Sequence, residues 1–353
     1  MMMMFPYRRL QFPIACSLAL LLLLNGQVAL ANDDFVVAGY LPEYRSYINV
    51  NNTAAVLTDL IVFSLQPDDQ GNLGPCCLEP HHFAQAREAR AYKQEQFPDA
   101  KPLKLWMSIG GAGRSASFPK IVADQALREK FVRNIKEKLL KEQFDGVDID
   151  WETPLGSDDD QNFVHLARDL YKEIIHKSGL QVSVALHPYH VFENHNFYSH
   201  ITRINLMTYD MVDGRGGHHA EMKGITASVM HLLKYKCPAD KIVLGIPAYA
   251  RHGRNPGQVK TYSEIVDAIL KTNPDADLKS VAQRSEFKGY LYDGPNDVRR
   301  KVDMAVKDGH AGIFFWEIGQ DKQHEEWAPS GILLEAAGEQ VASSMASMES
   351  SEL

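Results

Sequence analysis

The segment Phe144-Asp-Gly-Val-Asp-Ile-Asp-Trp-Glu152 sets four carboxylates within eight residues, Asp145, Asp148, Asp150 and Glu152. In an extended strand, side chains alternate between two faces. Asp148, Asp150 and Glu152 then share one face, and Val147, Ile149 and Trp151 share the other. Residues two apart on a strand lie roughly 6.6 Å apart along its axis. Like charges buried this close repel, so at least one acid must hold a proton near neutral pH. A carboxyl group kept protonated there is what general-acid catalysis needs. A solvated acidic turn would also crowd carboxylates, but the alternating Val, Ile and Trp demand burial. Glu152 falls where the strand ends, the end at which parallel α/β folds place their chemistry.

Other strand-like runs end in residues able to meet a ligand. Ser108-Ile-Gly110-Gly111 closes one with a tight turn, which the glycines alone could explain. Met207-Thr-Tyr209-Asp210 closes another, and Trp316 ends the run Gly312-Ile-Phe-Phe-Trp316. A Trp there is usually packing, yet its flat apolar face can also stack on a sugar ring. Gly39-Tyr40 and Gly245-Ile-Pro-Ala-Tyr249-Ala-Arg251 complete the set.

The pattern Asp-x-x-Asp-x-Asp-x-Glu, followed in order by the other motifs, resembles glycoside hydrolase family 18 from about Phe35 to Ala337. The resemblance implies a (β/α)8 TIM barrel and hydrolysis of β-1,4 links between N-acetylglucosamine units. It implies a retaining, substrate-assisted route, a known exception to the two-carboxylate scheme. In that route Glu152 protonates the glycosidic oxygen, and the substrate's own acetamido oxygen attacks the anomeric carbon. Asp150 stabilises the resulting oxazolinium, Asp148 shares its proton with Asp150, and Tyr209 orients the acetamido group. Tyr40, Met207, Asp210, Tyr249, Arg251 and Trp316 are the implied substrate contacts. Asp145, Ser108, Gly110 and Gly111 are implied structural members of the site, Ser108 through a hydrogen bond to Asp148. Ala250 replaces a glycine of the family pattern. Phe63-Ser64-Leu65 stands where many relatives carry a second aromatic, which leaves the pocket floor open.

The elements that must carry these residues follow from periodicity. Apolar runs predict strands at 35–40, 60–65, 104–109, 144–152, 181–186, 203–209, 241–246 and 311–315. Between most of them lie helical patterns, at 82–96, 124–142, 161–177, 221–235, 262–270 and 297–307, with another beginning at 331. That alternation is α/β and fits a barrel. An open doubly wound sheet is disfavoured, since no Gly-x-Gly-x-x-Gly follows the first strand. The stretch 254–294, with a short strand at 289–292, forms at most a small insertion between strands seven and eight. It is shorter than the insertion that walls a deep groove in processive relatives, so a shallow, endo-acting cleft is expected.

The chain has 353 residues, a net charge of −8 and no extended basic run, which argues against nucleic acid as a partner. Arg8-Arg9, the apolar stretch 15–24 and Ala29-Leu30-Ala31 predict a signal peptide over 1–31. The mature chain is expected outside the cytoplasm, off the membrane and monomeric, with the barrel over 32–340. The Ser-, Met- and Glu-rich end, 341–353, is expected to be disordered. Beyond the signal, Cys76, Cys77 and Cys237 allow at most one disulfide, with Cys237 expected buried. The 14 histidines include His187, His190, His218 and His219, but none has metal-ligand spacing. They read as surface and groove residues, and no metal or cofactor is expected.

Two other functions share the acidic motif. An endo-β-N-acetylglucosaminidase acting on N-glycans would carry it intact. A chitin-binding lectin on the same barrel would usually have lost the terminal Glu, which here is Glu152.

Overall fold

The computed structural model describes residues 23–24, 27–28 and 35–351, apart from 46–47, 75, 153, 155 and 213–215. Apart from those four residues, the segment read as a signal peptide lies outside the described residues.

Eight parallel strands close a barrel. In chain order the first seven are β1 (Val36–Pro42), β2 (Asp59–Leu65), β3 (Lys104–Gly110), β4 (Gly146–Asp150), β5 (Gln181–Leu186), β6 (Arg203–Leu206) and β7 (Ile242–Pro247). The last is β12 (Gly312–Trp316), which pairs with both β7 and β1 and shuts the cylinder. Strand alternation divides the apolar residues into two cores. Tyr40, Ile61, Phe63, Trp106, Val243 and Phe314 pack inside the barrel. Their neighbours Leu60, Val62, Leu105, Val147 and Ile149 pack outward against helices.

The shell contains α1 (Pro80–Gln96), α2 (Gln125–Glu142), α3 (Ser157–Leu170), α4 (Met222–Lys234), α5 (Tyr262–Thr272), α6 (Pro295–Lys307) and α7 (Ile332–Ser351). Helix α2 shows how the sequence sets its bounds. The Asp124 side chain accepts from Leu127 N at 2.9 Å and caps the start, and Gln143 ends it in the left-handed conformation. Phe131, Ile135 and Leu139 form its buried stripe. The helix expected over 161–177 divides at Leu170 into α3 and a π turn, Tyr171–His176.

Three expectations need correction. Strand β6 stops at Leu206, because Thr208 N and Tyr209 N bond back to the carbonyls of Leu206 and Met207 at 2.8 and 2.7 Å. These turns lift Thr208 to Asp210 out of the ladder, while Met207 N still donates to Leu186 O on β5 at 2.9 Å. The region after β7 carries a four-stranded antiparallel sheet rather than one short strand. Its order is β9 (Asn255–Thr261), β8 (Tyr249–His252), β11 (Tyr290–Leu291), β10 (Glu286–Phe287). The terminal stretch expected to be disordered is helical through Ser351. Val341 is buried, and Ser344 Oγ donates to Asp303 Oδ1 on α6 at 3.2 Å. Its Ala, Met, Gln and Glu are good helix formers once a neighbouring helix offers a face to pack on.

Cys237 is buried and free, and Cys76 is bonded to Cys77.

Candidate active site

Strand β4 runs up the barrel wall with Asp148 and Asp150 pointing inward, 0% and 3% exposed. Asp148 is enclosed by four donors from four other strands. Ser183 Oγ and Asn205 Nδ2 reach Oδ1 at 2.6 and 3.1 Å. Tyr40 Oη and Ser108 Oγ reach Oδ2 at 2.8 and 3.1 Å. A carboxylate offers about four lone-pair directions, so this one is filled as an acceptor. Burial raises its proton affinity above the ordinary value, and the hydrogen bonds from Ser183, Tyr40 and Ser108, with the charge of Arg203, offset part of that rise.

Asp150 differs. Its Oδ1 is buried and has no hydrogen-bond partner among the described residues. Burial, then the charges of Glu152 and Asp148, push this carboxyl well above its ordinary value. With four donors on Asp148 and none on Oδ1 of Asp150, Asp150 is the member of the buried pair that takes up a proton more readily. At the strand tip, Glu152 is raised too, by burial and then by the charge of Asp210.

The turn after β3 holds this geometry. Gly110 and Gly111 have φ of 104° and 92°. A Cβ on Gly110 would lie 2.2 Å from Asp150 O, and one on Gly111 would lie 2.4 Å from Phe63 Cζ. Gly111 N donates to Asp150 O at 2.6 Å. Ser115 Oγ lies 3.1 and 3.2 Å from the carbonyl oxygens of Gly111 and Asp150, and accepts Glu152 N–H at 3.2 Å. Ser115 thus fixes the backbone that carries the terminal acid, a role with no sequence signal beyond its nearness to the glycine turn.

Above the row lies a cavity of about 310 Å³ at the barrel mouth. Tyr40, Asp150, Glu152, Met207, Tyr209, Asp210 and Trp316 line it, joined by Ala112, His187 and His190. Its size suits one small polar ligand or part of a chain. Trp316 forms the floor, with ring centroids 5.4 Å from Tyr40 and 4.8 Å from Phe63. Phe63 packs edge-on against Trp316 without lining the cavity itself, so β2 supplies an aromatic that backs the floor. Burial keeps the Tyr209 phenol protonated, its proton affinity raised further by neighbouring Tyr249, Asp150, Asp210 and Glu152.

Three expected site residues stand elsewhere. Asp145 lies before the first residue of β4, at the opposite end from Glu152, and its Oδ2 accepts from Leu105 N at 2.7 Å and Arg90 Nη1 at 2.9 Å. It pins the barrel base. Tyr249 and Arg251 sit behind Asp210 rather than on the cavity wall. Tyr249 Oη donates to Asp210 Oδ1 at 2.6 Å, and Arg251 grips both carboxylate oxygens through Nε and Nη2. Asp210 has a left-handed φ of 58°. Burial raises its proton affinity, but hydrogen bonds from His219, Arg251 and Tyr249 outweigh that and hold it far below the usual carboxylate range.

His219 corrects the reading of the histidines as surface and groove residues. It is fully buried, with Nδ1 3.2 Å from Asp210 Oδ1. Among the described residues no three His, Cys, Asp or Glu side chains are grouped to hold a metal.

Comparison with known proteins identifies the family. A model of Glycosyl hydrolases family 18 matches residues 36–321. The chain belongs to glycosyl hydrolase family 18. This family 18 chain is 25% identical to "Probable chitinase 2" of Drosophila melanogaster, over 62% of its own length and 56% of the relative's. It is 26% identical to "Class V chitinase CHIT5" of Lotus japonicus, over 61% of the chain and 66% of the relative. It thus spans less than two thirds of the length of these curated relatives. The fold is similar to that of a class V chitinase of Nicotiana tobaccum, with TM-score 0.72, 21% identity and coverage of 88% and 100% of the two chains. A family 18 chitinase of Cycas revoluta in complex with (GlcNAc)3 gives TM-score 0.71 and 22% identity, covering 86% of this chain and 99% of that one.

In this family 18 barrel, two raised carboxyls, Glu152 and Asp150, face a cavity with an aromatic floor. Such a group at the rim can give a proton to an oxygen leaving a sugar ring, with the second carboxyl one step below it.

Proposed function

We propose that the chain is a chitinase, hydrolysing β-1,4 bonds between N-acetylglucosamine units with retention and with help from the substrate's acetamido group. The observation that carries this reading is the placement of the acids. Asp148 and Asp150 lie on one strand and Glu152 follows two residues past its end, so the cavity has one acid at its rim and a second carboxyl in its wall. A retaining site built on a protein nucleophile would instead set two carboxyl groups about 5 Å apart across the sugar.

Glu152 protonates the leaving oxygen. The acetamido oxygen closes on the anomeric carbon, and Asp150 receives a hydrogen bond from the acetamido N–H as positive charge grows. Tyr209 donates to the acetamido oxygen from the opposite wall, and Trp316 stacks under the reacting ring. Deprotonated Glu152 then takes a proton from water, which opens the oxazolinium and restores the starting state. The ligand of the Cycas revoluta neighbour, an N-acetylglucosamine trimer, is of the class this cavity would accept. Met207 and Asp210 contact the same sugar.

We infer from the N-terminal pattern that the protein is secreted, and we propose that it works free of the membrane and as a monomer. Among the described residues no helix is long and apolar enough to cross one. The test is release of the fluorophore from a 4-methylumbelliferyl chitobioside, beside digestion of a high-mannose glycoprotein. Turnover of the first and not the second supports the reading. Glycan release alone would make it an endo-β-N-acetylglucosaminidase, and binding without turnover a lectin.

A further inference from the structure

Below the acid row the barrel interior holds a cation that the proposed chemistry has not used. Arg203 is the first residue of β6 and is 4% exposed. Its Nη1 donates to Asp59 Oδ1 on β2 at 2.7 Å, across the barrel floor. Trp106 Nε1 on β3 donates to the same oxygen at 2.6 Å, and the guanidinium lies over the Trp106 ring at 4.1 Å. Arg203 Nε and Nη2 have no acceptor among the described residues. One contact with Asp59 therefore leaves much of the guanidinium charge unspent in a water-poor interior, where charges act over longer reach.

The strand register directs that charge at the acids. Ser108 pairs with Asp148, Asp148 with Ser183, and Ser183 with Arg203. The four residues form one continuous inward-facing row across β3 to β6. Two residues beyond Arg203 on the same face, Asn205 donates to both Asp148 and Tyr40 Oη. The groups facing Asp148 are thus Ser108, Ser183, Asn205, Tyr40, Arg203 and its own neighbour Asp150. Those facing Arg203 are Asp59, Trp106 and Asp148.

We propose that Arg203 is a positioning residue for the reaction, a buried cation that keeps Asp148 ionised and so confines the mobile proton of the row to Asp150. A buried ion pair is by itself a poor source of stability, so the fold gives little reason for the charge on Arg203. What the pair adds is a fixed field along the barrel axis. Asp59 limits that field, so the two residues act on Asp148 with opposite signs. The proposal rests on the hydrolase reading, because it needs the proton on Asp150.

The experiment compares wild type, R203K, R203M, D59N and the double variant D59N/R203M. Two readouts are taken: the pH profile of kcat/KM on the fluorogenic chitobioside, and a 13C NMR titration of aspartate-labelled protein. R203M should move the acidic limb and the Asp148 titration up by about one pH unit. R203K should leave both near wild type, D59N should move both down, and the double variant should lie between D59N and R203M because the two charges oppose each other. The double variant carries no unpaired buried charge, and if R203M does not fold its difference from D59N isolates the effect of Arg203. An Asp148 titration unshifted in R203M, equal in the double variant and D59N, or moved by D59N in the same direction as by R203M, overturns the proposal. If wild type released no product, the chitinase reading would fall while the titration still decided the role of Arg203.

Discussion

Tyr40 on β1 donates its hydroxyl to Asp148 Oδ2 on β4 at 2.8 Å, joining strands 108 residues apart. The same hydroxyl accepts from Asn205 Nδ2 at 2.9 Å. It therefore presents its proton to the carboxylate and its lone pair to the amide. Y40F would leave the ring on Trp316 and Phe63 but remove one of four donors to Asp148. A hydrogen bond to a charged group contributes about 1.5–3 kcal/mol. We expect kcat to fall about 10–100-fold, with the acidic limb of the profile moved up and KM little changed. Steady-state kinetics across pH checks this.

Glu152 is the outermost acid, and its backbone is held by Ser115 rather than by its own side chain. E152Q should fold normally and keep the cavity. Turnover should drop by about 10²–10⁴-fold, while calorimetry still detects N-acetylglucosamine oligomers. Near-wild-type hydrolysis would remove Glu152 from the role of proton donor.

Asp150 makes function costly to stability. Its folded proton affinity is raised well above the ordinary 3.8, so the folded state holds a proton that the unfolded chain has lost. Between those two values stability falls as pH rises. D150N removes this penalty. Its melting temperature should exceed wild type at neutral pH, and the gain should vanish below about pH 4, where both states bind the proton. Activity should be lost. Thermal melts at pH 3.5 and 7 decide it.

Asp210 acts on Glu152 through charge. After burial, its charge is the cause that raises the Glu152 carboxyl. D210N should lower that proton affinity and move the basic limb of kcat/KM to lower pH. A wild-type basic limb in a folded D210N would refute the coupling.

Asp145 belongs to the signature yet not to the cavity. D145A removes the acceptor of Leu105 N and the partner of Arg90. Stability should fall by about 1–3 kcal/mol, read by urea denaturation. The pH profile of the folded enzyme should stay as in wild type.

The barrel and its acid row could be read from the chain because both are written locally. Alternation along 146–150 follows from strand geometry, whatever the strand packs against. Turn glycines and amphipathic spacing mark the neighbouring elements in the same way. Local pattern also misled, and three cases show why. A Ser-, Met- and Glu-rich end reads as disordered until α6 offers it a surface. Tyr249 and Arg251 read as ligand contacts until β8 turns them toward Asp210. Phe63 reads as a gap in the floor until its ring meets Trp316.

The sequence by itself determined which residues could share a face and which strand would end in an acid. Tertiary structure alone decided who faces them across the barrel: Ser183, Asn205 and Tyr40 on Asp148, Arg203 beneath the row. Those partners come from strands far apart in the chain, and only closure of the cylinder sets their heights relative to one another. A hydrogen bond or a buried charge depends on that distance, and local periodicity holds no information about it.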